Sequence, residues 1–78
     1  MRTIVIREDA LQAIKDRAVY PFQKQKEAGE IIFFGKKMKL FFIEIDEDVE
    51  NFIKSKGVNV DDVDQVSDFI ISASTLHH

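Results

Sequence analysis

Asp46, Asp48 and Glu50 stand at alternate positions, the spacing of the first ligands in an EF-hand calcium loop. The sixth position of such a loop needs glycine for its sharp turn, and here it holds Asn51, with Phe52 following on an apolar stripe. The calcium pattern therefore fails, and the three acids read as the first turn of a helix whose dipole they offset. Ser55, Ser67, Ser72 and Ser74 would need a general base beside them to act as nucleophiles, yet the chain's two histidines are His77 and His78, at its very end. A terminal histidine pair reads as the remnant of an expression tag and takes no part in the functional argument. With no cysteine in the chain, zinc would be left with carboxylates. Gly29, Gly35 and Gly57 stand singly rather than clustered, so each reads as a turn or cap residue and not as a phosphate cradle. Glu44, which follows Phe41-Phe42-Ile43, is the carboxylate whose surroundings could raise its pKa, although a strand-end carboxylate reaching solvent is the expected state. No catalytic residue, metal site or cofactor is expected.

Two surfaces have the composition for binding instead. Lys36, Lys37 and Lys39 lie among Phe33, Phe34 and Phe41, a basic and aromatic hairpin suited to stacking bases and neutralising phosphates. Its spacing lacks the RNA-recognition signature and the whole chain is acidic, so a small nucleic-acid-binding protein, with Lys24 and Lys26 adding charge, is the alternative function and nucleic acid the lesser expectation. The second surface comes from an uneven charge distribution. Residues 1–43 carry nine Lys or Arg against five acids, whereas 44–78 carry two Lys against nine acids. Asp46, Glu47, Asp48, Glu50, Asp61, Asp62, Asp64 and Asp68 are the candidate partner-binding residues, an acidic helical face that would steer encounter with a basic protein surface.

The elements that must carry these residues follow from the hydrophobic pattern. Thr3-Ile4-Val5-Ile6 between two arginines predicts a strand, and Glu8-Asp9 followed by Leu11, Ile14 and Ala18 predicts a helix over 8–19, stopped ahead of Pro21. Residues 22–29 are polar without a period and predict a loop or a solvated turn. Strand, turn, strand then follows as 30–34, Gly35-Lys36-Lys37 and 38–45. Asp46-Glu47-Asp48, then Val49, Phe52 and Ile53, then Lys54, Lys56 and Gly57 have the order of a capped helix. Asn59 or Asp61 would cap a third, with Val60, Val63, Val66, Phe69, Ile70 and Ala73 on one face. The fold class is thus α+β, a small β-α-β-β-α-α domain over 1–76 with a three-stranded sheet packed against helices. Its crossover should be right-handed if the first strand runs parallel to the hairpin strand that it joins.

Residues 31–34 and 40–43 are apolar at every position where a half-buried strand would alternate. Both faces of the hairpin are therefore greasy, and one helix layer covers only one of them. The other must meet the remaining helices, a second copy in a homodimer, or a partner. Without disulfides the cytoplasm is the expected location, and no apolar run approaches the roughly 18 residues that would span a bilayer, so no membrane partner is expected.

Residues 1–35 are similar to the opening of JAB/MPN metalloprotease domains, through Ile6-Arg7-Glu8-Asp9-Ala10-Leu11 and Glu27-Ala28-Gly29-Glu30-Ile31-Ile32-Phe33-Phe34-Gly35. That opening runs strand, helix, proline, then a glycine-containing apolar strand. The family's His-x-His and downstream Asp ligands have no counterpart here, so the resemblance implies no enzyme. These readings together predict a non-enzymatic protein–protein interaction module, in the manner of a small inhibitor or regulator, that binds a larger protein through its acidic helical surface, its sheet, or both.

Overall fold

The computed structural model describes residues 2–17 and 25–75. In chain order its elements are β1 (Arg2–Arg7), α1 (Glu8–Arg17), β2 (Gln25–Phe33), β3 (Lys36–Ile45), α2 (Glu47–Ser55) and α3 (Val63–Thr75). This is the β-α-β-β-α-α order of a small α+β domain. The expected helix stop before Pro21, the place of Ala18 on its stripe, the start of the loop at 22–24, Lys24, and His77 with His78 lie outside the described residues.

The sheet order is β1-β3-β2, with β3 antiparallel to both neighbours. β1 therefore joins the hairpin strand to which it is antiparallel. It runs parallel to β2, from which β3 separates it, so the connection through α1 is a split β-α-β unit. Register places Ile4 opposite Ile43 and Ile6 opposite Phe41, and these side chains share one face with Ile45. That face forms a single core with Ala10, Leu11 and Ile14 of α1, Ile53 of α2, and Val66 and Ile70 of α3. All three helices thus contribute to one side of the sheet. On the opposite face Thr3, Val5, Met38, Leu40, Phe42 and Glu44 alternate with the core residues, and none of them is buried.

Three local features differ from the pattern read in the sequence. β2 begins at Gln25, so residues 25–29, expected as a loop, pair with Leu40–Ile43 across a register shift between Glu27 and Gly29. An edge strand tolerates charged side chains that a central one would not, and a bulge there blunts the free edge against other strands. Gly29 takes φ 138° at this irregularity, a region closed to side-chain-bearing residues. The hairpin turn is Phe34-Gly35 rather than Gly35-Lys36-Lys37, because Phe33 pairs with Lys36. Both turn residues have positive φ, 50° and 78°, as the tight two-residue turn of a twisted hairpin demands. Asp62 rather than Asn59 or Asp61 caps α3, accepting from the backbone N–H groups of Asp64 and Gln65, both at 3.1 Å. Val60 consequently sits ahead of the helix, although it remains in the core.

The other predicted cap is in place. Asp46 accepts from the Val49 N–H at 2.9 Å to start α2, and Gly57 follows the Lys56 cap with φ 78°.

Phe34 is the unusual turn residue, since an L-residue with a bulky side chain in the left-handed region crowds its own carbonyl. Replacing it with Asn, which visits that region readily, is expected to raise the unfolding free energy by about 1 kcal/mol, measured as a higher urea midpoint at an unchanged slope.

Candidate interaction surface

Among the described residues the most deeply placed charge belongs to Arg7, at the junction where β1 runs into α1 without a loop. Its side chain is 2% exposed. Nε donates to Asp9 Oδ1 at 3.1 Å, Nη1 to Asp64 Oδ1 at 3.1 Å and Nη2 to Asp68 Oδ1 at 2.6 Å. Asp64 and Asp68 are one helical turn apart, which aims both carboxylates from the same face of α3. The guanidinium also lies over the Phe33 ring, 4.0 Å from its centroid, and the Arg7 N–H donates to the buried Ser67 hydroxyl oxygen at 3.0 Å. Burial by itself works against the charged form. The hydrogen bonds to Asp68, Asp9 and Asp64, with the Asp9 charge, outweigh it and lift the pKa above the ordinary arginine value.

A second cluster closes the other end of β1. Arg2 Nη1 donates to Glu50 Oε2 at 2.8 Å and Nη2 donates to Asp61, while Lys54 Nζ lies 3.0 Å from the same Glu50 oxygen. Hydrogen bonding from Lys54, seconded by Arg2 and opposed by partial desolvation, holds the Glu50 carboxyl below the usual carboxylate range.

The eight predicted acidic residues therefore do not form one free face. Asp64 and Asp68 belong to Arg7, Asp61 and Glu50 to Arg2, and Asp46 and Asp62 cap helices. Glu47 and Asp48 lie exposed in the first turn of α2. Among the described residues no group of three or more His, Cys, Asp or Glu is arranged to hold a metal ion. The three aspartates that do converge have a guanidinium at their centre.

Of the four large apolar side chains exposed among the described residues, three lie on the sheet and its hairpin, and the fourth, Phe52 of α2, lies beside Phe69 and Lys56. Lys36, Lys37 and Lys39 are all exposed around the hairpin tip, where Phe34 is 90% and Ile32 68% exposed. The backbone N–H of Lys39, one position past the last β1 pairing, donates to Glu8 Oε1 at 3.2 Å, so β1 stops short of the tip and the last turn of the hairpin projects as a two-stranded ribbon. Phe33 does not share this exposure, because its ring meets Arg7 and packs edge-on against Phe34 at 4.5 Å. On the outer sheet face Phe42 is 39% exposed and floors a cleft of about 360 Å³ lined by Thr3, Lys26, Ile43 and Glu44. The role of Arg7 was not marked out by sequence reasoning, and Phe34 was placed among the hairpin aromatics but on a strand rather than in the turn. The partners of Arg7 on α3 lie 57 and 61 residues away, and nothing in the identity of Phe34 announces a turn. The doubly apolar hairpin was the signal that did lead to Ile32 and Phe42.

Among the described residues no helix is long and apolar enough to cross a membrane. Comparison with protein-family models, with curated proteins and with solved structures finds no match to this chain, so none of them supports the likeness to JAB/MPN domains.

Two predictions follow from the charge clusters. Arg7→Ala is expected to cost about 3 kcal/mol, because it removes the ion pairs that tie α3 to the β1–α1 junction and leaves a void, while Arg7→Met, which refills the space with apolar atoms, should cost clearly less. Urea unfolding of the two variants checks this, and equal losses would contradict it. For Glu50, a carboxyl depressed in the fold stabilises above the ordinary glutamate range and loses that contribution as pH falls through its lowered value. Glu50→Gln should accordingly flatten the decline of the urea midpoint on acidification, with its largest deficit near neutrality.

Proposed function

We propose that this chain is a non-enzymatic protein-interaction module, acting in the cytoplasm as a small binder or regulator of another protein, and that its working surface is the outer face of the sheet. The observation that carries the reading is the one-sided helix layer. Every helix contributes to the core face, whereas Val5, Met38, Leu40 and Phe42 on the other face are apolar and unburied. Monomeric domains seldom leave a contiguous apolar sheet face to water, and such faces are typical of interfaces. The acidic helices contribute less to this reading than their composition suggests, since six of their eight carboxylates already have partners within the chain.

Phe42→Ser is the direct test. The side chain lies outside the core, so circular dichroism and the urea midpoint should stay close to wild type, while co-purification of the partner from the native host should be lost. The comparison variant is Glu47→Lys with Asp48→Lys, which reverses the exposed acids and leaves the Arg2 and Arg7 clusters intact. Capture that survives Phe42→Ser and disappears in the double reversal would move the site to the helices. A salt-dependent gel shift that requires Lys36, Lys37 and Lys39 would instead favour nucleic acid.

A further inference from the structure

We infer that the chain associates head to tail with copies of itself, the hairpin tip of one copy seated in the cleft on the outer sheet face of the next. This rests on the reading of that face as an interface and names its occupant. The two ends of β3 are complementary in three respects. At one end Phe34 and Ile32 project beyond the point where β1 stops; roughly 20 Å along the strand from Lys36, at about 3.3 Å per residue, Phe42 floors a cleft. Both surfaces are apolar and each presents an exposed aromatic ring, the pairing that anchors interfaces. The charges are opposite as well. Lys36, Lys37 and Lys39 surround the tip, whereas Asp46, Glu47 and Asp48, all exposed, follow β3 directly at the cleft end. Lys26 on one rim has the sign of the tip, which sets the incoming lysines toward the Asp46–Asp48 side.

The backbone adds an independent reason to expect an occupant for the tip. Phe34 holds a left-handed conformation that favours Asn or Gly, and at 90% exposure its ring returns little to folding. A strained aromatic that meets Phe33 edge-on and leaves most of its surface in water is accounted for if it also fills a cleft in a neighbour. Because tip and cleft are different surfaces, the contact is heterologous and does not close on itself at two copies.

Sedimentation velocity and light scattering on the whole chain, from micromolar to millimolar, test this. The average mass should climb with concentration without a plateau at the dimer, and added salt should reverse part of the climb. Phe34→Asn, which relieves backbone strain and so folds at least as well, and Phe42→Ser should each weaken self-association at least about tenfold. Mixed together they should form a one-to-one complex and stop there, since the first variant keeps an intact cleft and the second an intact tip. A wild-type monomer over the whole range overturns the inference, as does a plateau at the dimer or a pair of variants that fail to complement. If such a monomer still captures a host protein through Phe42, the proposed function stands and only the head-to-tail contact falls. If association persists but capture never depended on Phe42, the proposed function falls.

Discussion

Arg7 has a full positive charge where almost no water reaches it, and a charge in that position is tolerable only while its five donors are answered. Three carboxylates and one aromatic face answer them, drawn from three separate elements of the chain. Asp9 opens α1, Asp64 and Asp68 sit on α3, and Phe33 ends β2. Truncating any of these partners would leave an under-satisfied guanidinium, a penalty larger than the worth of most single contacts. The junction between β1 and α1, the lean of α3 against that junction, and the anchoring of the hairpin by Phe33 are consequently fixed by one side chain. Asp9 adds to the same point by accepting from the Ala10 N–H at 2.8 Å.

The same contacts explain where the charge asymmetry of the sequence goes. A basic first half and an acidic second half look like a statement about partners, and in the fold they become in part a statement about tertiary structure. Arg2 and Arg7 come from the basic half, while Glu50, Asp61, Asp64 and Asp68 come from the acidic half. These pairs span 48 to 61 residues of sequence, so no local pattern could have joined them. The helix caps were legible for the opposite reason: Asp46 with Val49 is a contact between near neighbours, and the order of acids, apolar stripe, lysine and glycine writes it out locally.

Legibility along the sheet follows the same division. β1 and β3 could be located because β-branched and aromatic runs pack a pleated surface, whereas the doubly apolar hairpin left open whether its second face would meet the remaining helices, a second copy or a partner; among the described residues the helices pack on the first face. The first half of β2 was illegible because an edge strand leaves its side chains in water, where Lys26, Glu27 and Glu30 are as acceptable as in a loop. Its pairing is decided by β3, which supplies the hydrogen-bonding template, and not by its own composition. The turn at Phe34 escaped notice for a related reason, since register between Phe33 and Lys36 forces two residues into positive φ whatever their propensity.

That override separates what the sequence spends on folding from what it leaves over. Core positions, caps and the Arg7 cluster agree with one another and with the fold, as a minimally frustrated chain requires. Phe34, Ile32 and Phe42 do not: each exposes apolar area that a charged or small residue would remove, and Phe34 strains its backbone as well. Local conflicts without a gain in packing mark the places where a sequence answers to something other than its own stability. Among the described residues three of the four exposed large apolar side chains fall on the sheet and its hairpin, two at the tip and one on the face turned away from the helices, whereas the fourth, Phe52 of α2, lies beside Phe69 and Lys56. That distribution is the physical support for proposing the sheet, rather than the acids, as the interaction surface.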